Sequence, residues 1–356
     1  MSTHARQSPA PAADGSALRQ LIMGFRTTQM IYVAAKLGIA DRLTQGPQGA
    51  EALAQAVGAA PRPLYRLLRA LASIGIFAET PQGAFKLTPT GRLLQSDVAG
   101  SLRTTALLYG DGLFWDAYGR MLHSVRTGEP AFEHAHGEPL FAHLAKHPDA
   151  ASLFHQAMSG FSDQEMTAIL AAYDFSGFAN VIDIGGGQGA LVAALLGMYP
   201  QMRGTVLDLE TVADGAQRLL ADAGLTERAT FITGDFFGPI PRGGDLYLLK
   251  SVIHNWNDAA AANILRGCRR AMPNDARVIV IERVIPAANV ASEATLFDIN
   301  MLVVLGSQER TEAEYRALFH QAGFALTGVV PTDSPMSLIE GTPIAARSRA
   351  AGEPNA

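Results

Sequence analysis

The run Val181-Ile-Asp-Ile-Gly-Gly-Gly-Gln-Gly189, leading directly into Ala-Leu-Val-Ala-Ala-Leu-Leu196, constrains this chain more than any other segment. An apolar strand ends in an acid, a glycine cluster follows and a helix begins, the order in which a parallel sheet brings bare backbone up to a nucleotide-like ligand. Glycine has no Cβ, so the chain can turn sharply there and approach the ligand closely. Dinucleotide oxidoreductases and S-adenosylmethionine enzymes share such runs. The run therefore specifies an adenosine-containing ligand and leaves the choice between the two classes to the rest of the sequence.

A chain of 356 residues exceeds what one hydrophobic core supports, which predicts two domains or one domain with a large extension. Hydrophobic residues make up 48% and charged residues only 17%, against about 25% charged in an average soluble protein. The deficit of charge predicts surface buried between subunits, hence a homo-oligomer. No apolar run approaches the roughly 20 residues that span a bilayer, and the first residues lack a secretory apolar core, so the expected location is cytoplasmic and away from the membrane. The single cysteine, Cys268, excludes an intrachain disulfide and a multi-cysteine metal cluster and reads as a small core residue.

Along the chain, residues 1–15 are rich in Pro, Ala and Ser and predict a disordered tail. From Ala17, Leu18, Leu21, Ile22, Phe25, Met30, Ile31, Val33, Ala34 and Leu37 recur near helical spacing up to Gly38. Two further helices, from Gly49 to Val57 and from Pro63 to Ile74, close at Gly58 and Gly75. A hairpin over residues 76–87 follows, turning at Pro81-Gln-Gly83. Three helices and a hairpin make a winged-helix arrangement over residues 16–100. Residues 101–172 read as a helical bridge, dense in aromatics and suited to wall a pocket. From residue 173 to 346, strands over 181–184, 205–209, 230–233, 246–252 and 278–283 alternate with helices, which predicts a parallel sheet covered on both faces. Residues 324–329 and 336–340 supply two closing strands, and residues 347–356 a flexible tail.

Tyr32-Val-Ala-Ala-Lys36 has the Tyr-x-x-x-Lys spacing of short-chain dehydrogenases, but it lies on an N-terminal helix far upstream of the glycine run, where that family places it downstream within the same sheet. It reads as a packed tyrosine and a solvated lysine. Two signals favour S-adenosylmethionine. Asp208 ends the second strand 23 residues beyond Gly185, close to the spacing of about 20 expected for an acid that accepts hydrogen bonds from ribose hydroxyls. Gly234-Asp235-Phe236 ends the third, placing an acceptor for the adenine amine beside a ring to pack on the base.

The fourth strand runs out in Lys250-Ser-Val-Ile-His254-Asn255-Trp256, and residues just past the carboxyl ends of parallel strands face the ligand crevice. His254 is joined by Glu282 at the end of the fifth strand and Glu309 in Gln308-Glu-Arg-Thr311. Carboxylates beside an imidazole fix its tautomer and stabilise its charged form, the logic of a general base. With the glycine motif, strand-two acid, Gly-Asp pair, Leu-Lys…His-x-Trp segment and Glu-Arg-Thr turn matched in order, the chain resembles the plant-type small-molecule O-methyltransferase family, across about residues 17–345.

The resemblance implies a Rossmann-like class I methyltransferase sheet behind an N-terminal helical winged-helix dimerisation domain, acting as a homodimer on a hydroxylated aromatic acceptor with S-adenosyl-L-methionine as methyl donor. It implies that Gly185 and Gly187 approach the methionine and ribose, that Asp208 and Leu209 bind the ribose, that Asp235, Phe236 and Lys250 surround the adenine, that Asp183 supports the loop at the cofactor and that Ser162 binds the cofactor. His254 is then the general base flanked by Glu282 and Glu309. Phe154, Met158, Asn255, Trp256 and Met301 line the acceptor, although Phe154, Met158 and Met301 read equally as core packing. Plant members carry His-Asp-Trp where this chain has His254-Asn255-Trp256, so any charged contact from that position is missing. The mechanism requires no metal, and no His/Asp/Glu cluster has dedicated metal spacing. The alternatives are N-methylation or a non-methylating S-adenosylmethionine enzyme on the same fold. A DNA-binding regulator is a further one, suggested by Arg62, Arg66 and Arg69 on one helix face, but Leu64, Leu67, Leu68 and Leu71 give that helix a buried face, so no nucleic-acid partner is expected.

Overall fold

The computed structural model describes residues 15–344, without the side chains of residues 159 and 161–164. The tails expected over residues 1–15, Gly15 apart, and 347–356 lie outside the described residues. The chain divides into two compact units, one made of residues up to Trp115 with Pro148–Gly160, the other of Asp116–His147 with the chain from Phe161 onward.

The first unit opens with α1 (Gly15–Ile22) and α2 (Gly24–Lys36), where the periodicity predicts one continuous helix. The break falls at Met23, ahead of Gly24, whose backbone entropy disfavours a helix interior. Then come α3 (Ile39–Arg42), β1 (Gln48–Gly49), α4 (Ala50–Val57), α5 (Pro61–Ser73), β2 (Phe77–Glu79) and β3 (Ala84–Leu87), followed by α6 (Pro89–Arg92) and α7 (Arg103–Gly110). Gly58 stops α4 in the left-handed conformation, φ 68°, and proline starts α5 where its missing N–H is harmless. The expected hairpin forms, and β1 adds an edge that the sequence pattern did not announce, in the order β1-β3-β2. Leu53, Leu64, Leu68, Leu71, Phe77 and Phe85 fill the core beneath it. Arg62, Arg66 and Arg69 are exposed, with Arg69 lying over the Tyr65 ring.

Helices α8 (Gly112–Gly119), α9 (Met121–Thr127), α10 (Ala131–His136), α11 (Leu140–Lys146) and the 25-residue α12 (Pro148–Ala172) follow. The second unit then alternates β4 (Asn180–Ile184), α13 (Ala190–Met198), β5 (Arg203–Asp208), α14 (Ala213–Asp222), β6 (Ala229–Thr233), β7 (Leu246–Lys250), α15 (Asp258–Ala271) and β8 (Arg277–Ile285). It closes with α16 (Glu293–Leu305), β9 (Arg310–Thr311), α17 (Glu312–Gln321), β10 (Phe324–Pro331) and β11 (Met336–Pro343). The strand order is β10-β11-β8-β7-β4-β5-β6, with β11 antiparallel to both neighbours and β9 pairing briefly with β8. Tyr247, Ile264, Leu265, Cys268 and Phe319 pack on one face, and Leu191, Leu195, Val206 and Leu220 on the other. Winding reverses between β4 and β7, which opens a crevice outside their carboxyl ends. Among the described residues, no helix is long and apolar enough to cross a membrane.

Tyr32 settles the dehydrogenase-like spacing. Its ring packs where a Cβ on Gly110 would stand, 2.2 Å from the Tyr32 Cβ, and its hydroxyl donates to Asp111 at 2.9 Å, with the exposed Lys36 beside the same carboxylate. Helices α2 and α7 thus meet at a glycine. We expect Gly110→Val to destabilise the first unit by about 1–3 kcal/mol, the range for overpacking, read as a lower urea midpoint.

Candidate active site

The glycine run bends between β4 and α13 through three left-handed residues, Gly185 (φ 68°), Gly187 (φ 57°) and Gly189 (φ 82°), a conformation that side chains disfavour. The two acids of the motif divide the work of holding it. Asp208 accepts from the Gly187 N–H at 2.7 Å with one oxygen and from the Leu209 N–H at 2.7 Å with the other. Asp183 lies under Gly186, 1% exposed, with no hydrogen-bond partner for either oxygen among the described residues. Burial pushes its carboxyl up to about 7 against the pull of Lys250, with Asp208 adding repulsion. Val252 stands 2.8 Å from where a Gly185 Cβ would project and Phe236 3.5 Å, so the loop, the end of β6 and the segment after β7 converge. Asp235 is exposed and accepts from the Phe237 N–H, while Phe236 meets Trp256 edge-on.

After Lys250 the fourth parallel strand stops, two residues short of the predicted end at 252. Ser251 takes the left-handed conformation at φ 56°, which breaks strand pairing and turns residues 253–255 into a single helical turn. Asn255 Nδ2 donates to the Ser251 carbonyl at 3.0 Å and so stabilises the turn with the group that replaces the family aspartate. The turn delivers His254, 7% exposed, onto two buried carboxylates. Its Nδ1 lies 2.8 Å from Glu309 Oε1 and 3.1 Å from Glu282 Oε2. Glu282 Oε1 also accepts the backbone N–H of Ile253 at 2.9 Å and of His254 at 3.3 Å. Burial alone would lower the imidazole's affinity for protons, but the two carboxylates outweigh it and hold its pKa above the usual 6.5. Glu282 is driven up to about 7 by burial, against the attraction of His254.

Two supports of this arrangement carry no sequence signal of their own. Arg310 has no exposed surface and donates to the carbonyls of Ile253 (3.3 Å) and Trp256 (2.8 Å) and to Asp258 (2.8 Å), clamping both ends of the turn. The Glu-Arg-Thr match named its position but not this task. Glu165 on α12, 6% exposed, holds Lys250 at 2.8 Å and Arg283 at 3.4 Å, and Arg283 stacks on Phe297 at 4.1 Å, whose ring faces His254. Of the remaining predicted residues, Met301 is buried on α16, Leu209 is exposed, and Phe154 and Met158 lie half-buried on α12 in the first unit. The Ser162 side chain lies outside the described residues.

The chain matches two family models and several known proteins. The family model for the O-methyltransferase domain matches residues 118–325. The model for the O-methyltransferase dimerisation domain matches residues 19–97. The chain is 44% identical over 329 residues to a phenazine O-methyltransferase of Lysobacter antibioticus, covering 92% of this chain and 96% of that one. It is 36% identical to a phenazine-1-carboxylate N-methyltransferase of Pseudomonas aeruginosa, over 90% of this chain and 94% of that protein. A crystal structure of an O-methyltransferase from neocarzinostatin biosynthesis, in complex with S-adenosylmethionine and 2-hydroxy-5-methyl naphthoic acid, superposes with a TM-score of 0.77 at 36% identity, over 89% of this chain and 96% of that one.

The carboxylates, not the burial, raise the His254 pKa, so removing one must lower it. In an NMR titration of the imidazole we expect the His254 midpoint of Glu309→Gln to fall below that of the wild type, and an unchanged or higher midpoint would contradict the assignment of cause.

Proposed function

The chain belongs to the O-methyltransferase family, and on that premise we propose that it transfers a methyl group from S-adenosyl-L-methionine to a hydroxyl of an aromatic or polyketide-like small molecule, with His254 as its general base. One observation carries the proposal: a buried imidazole, its Nδ1 engaged by two carboxylates, is set at the carboxyl end of β7 beside the glycine loop after β4. Nδ1 is occupied, which leaves Nε2 to take the acceptor's proton.

The strand ends suit the methyl donor. Open space surrounds the position of a Gly187 Cβ, and the Asp208 oxygens that hold the loop keep lone pairs for ribose hydroxyls. Gly185 and Gly187 would lie along the methionine and ribose, Asp208 and Leu209 at the ribose, Asp235 and Phe236 at the adenine, and Lys250 beside it, with Asp183 beneath the loop. When bound, the donor supplies an electrophilic methyl on a sulfonium. Trp256 and Met301 would wall the acceptor. Asn255, its Nδ2 spent on Ser251, brings no charge to it.

A phenol near pKa 10 giving its proton to an ordinary imidazole near 6.5 is uphill by about 3.5 units, or roughly 5 kcal/mol. The raised pKa of His254 shrinks that deficit. General-base help is worth about 10²–10⁴ in rate, while alignment of nucleophile and methyl carbon contributes about 7–11 kcal/mol. Positioning therefore dominates, and the base decides which protonation state of the acceptor reacts. N-methylation is the second reading, favoured by the similarity to the N-methyltransferase above. A ring nitrogen presents its lone pair without a base, so the buried His254 set supports oxygen.

We assign residues 16–100 to homodimer formation, a reading supported by the dimerisation-domain match and by the exposed Leu18, Leu21, Ile22 and Phe25 on α1 and α2. Residues 173–346 bind the methyl donor, and residues 101–172 bridge the two. Secondary-metabolite tailoring in the cytoplasm is the setting we propose.

With a phenolic acceptor, we expect His254→Ala to lower kcat about 10²–10⁴-fold while leaving S-adenosylmethionine affinity intact, and Asp208→Ala to do the reverse, weakening donor binding. The base works only when deprotonated and its pKa lies above 6.5, so the rate should fall as pH drops, with an acid limb centred above 6.5. An unchanged rate for His254→Ala at neutral pH would sink the base assignment and favour a nitrogen acceptor.

A further inference from the structure

Away from the strand ends the chain concentrates imidazoles: His123, His134, His136, His143 and His147 are five of its nine histidines. The last two sit one helical turn apart on and just beyond α11, with their rings stacked at 3.9 Å. Helix α10 ends at Gly137 in the left-handed conformation, φ 79°, and the turn places Glu138 back against α11. Glu138 Oε1 lies 3.3 Å from His143 Nδ1. That nitrogen is buried and has no partner in hydrogen-bond geometry, so a carboxylate oxygen and a ring nitrogen face one another with no donor aligned between them. His147 Nδ1 lies 2.8 Å from the His143 carbonyl. Donation to that carbonyl fixes the tautomer and leaves Nε2 with its lone pair, which is how a backbone carbonyl orients a metal-ligating histidine. Phe132, with no exposed surface, packs on the His136 ring at 4.4 Å and the His143 ring at 5.8 Å and limits their movement.

One donor atom from each of Glu138, His143 and His147 lies within 4.8 Å of the others. Ligand bonds of about 2.0–2.2 Å to a common centre require the His143 and His147 rings, stacked 18° from parallel, to turn so that both lone pairs meet there. We propose that Glu138, His143 and His147 form a binding site for a divalent first-row transition ion, with zinc as the fitting member, separate from the methyl-transfer site. Two imidazoles and one carboxylate are a zinc donor set that keeps one position open, and the nitrogen-rich set disfavours magnesium and calcium. Lys146 bonds the other Glu138 oxygen, Oε2, which leaves Oε1 for a monodentate contact. The ion would close the turn between α10 and α11. Helix α10 packs against α16, where Pro130 sits against Gly306 at the end of the helix that carries Met301. Zinc would therefore brace a wall of the second unit without touching the reacting groups.

The test uses untagged full-length protein, stripped with EDTA and titrated with zinc chloride by calorimetry, with bound zinc counted after gel filtration and melting followed with and without zinc. His254, Glu282 and Glu309 also converge closely enough to hold an ion, so His254→Ala is the control. We expect one zinc per chain, an affinity weakened at least tenfold in His147→Ala and in His143→Ala, no change in His254→Ala, and a zinc-dependent rise in melting temperature in the wild type that is absent in His147→Ala. His147 is exposed, so its variant should fold, and its methyl-transfer activity without zinc checks that. Wild-type binding no tighter than that of His147→Ala, or binding lost in His254→Ala instead, would overturn the proposal.

Discussion

The Glu282 carboxylate, wholly buried within β8 one residue past its last pair with β7, accepts two backbone N–H groups from the turn after β7 and lies 3.1 Å from the His254 ring nitrogen. A carboxylate there is costly to ionise, as its elevated pKa of about 7 shows, and a buried imidazole is costly to charge. Each offsets the other's desolvation, and Glu309 is the ring's hydrogen-bond partner at 2.8 Å. The orientation of the imidazole thus depends on the register between two parallel strands, because β7 delivers the histidine and β8 the acid. Arg310 locks the same turn from behind. Its strand β9 pairs with β8 at Val284 and Ile285, so Glu309 and Arg310 arrive at the turn together. A buried ion cluster of this kind is weak evidence for stability, since its members must be desolvated, and stronger evidence for a site that needs one fixed geometry.

On the other side of the crevice the division of labour between Asp183 and Asp208 follows from solvation. Asp208, partly exposed, stays on the rim and spends its oxygens on the loop's N–H groups. Asp183, fully enclosed and without a hydrogen bond among the described residues, is pushed toward neutrality by burial and by its neighbour. Lys250 reduces that penalty electrostatically while its ammonium is held by Glu165 on α12. The floor of the loop, the end of β7 and the long helix are therefore joined through charges, so a change at Glu165 bears on both halves of the crevice.

Much of the frame was legible because it rests on short-range rules. Apolar runs marked the strands, glycines at 38, 58 and 75 marked helix ends, and the glycine run marked the turn at the switch point. The misreadings are equally local in origin. Met23 breaks a helix whose apolar spacing continues through it, Ser251 ends β7 early by a backbone conformation that residue type does not announce, and β1 and β9 are two-residue strands too short to carry a pattern. Glu138, His143 and His147 did not stand out as a donor set, because a left-handed turn at Gly137 and the stacking of two rings, rather than spacing alone, bring their donor atoms together.

The sequence by itself determined the α/β alternation, the glycine loop with its acids and His254 just past the end of the fourth strand, since each follows from backbone freedom, apolar runs or position along a strand. Only the tertiary structure decided that both carboxylates reach the same ring nitrogen, that the distant Arg310 clamps both ends of the turn, that Asn255 is consumed by Ser251, and that Glu165 ties α12 to Lys250 and Arg283. Apart from the Asn255–Ser251 bond, those relations join residues tens of positions apart through side-chain directions and buried electrostatics, and both exist only once strand register and helix packing have removed the water.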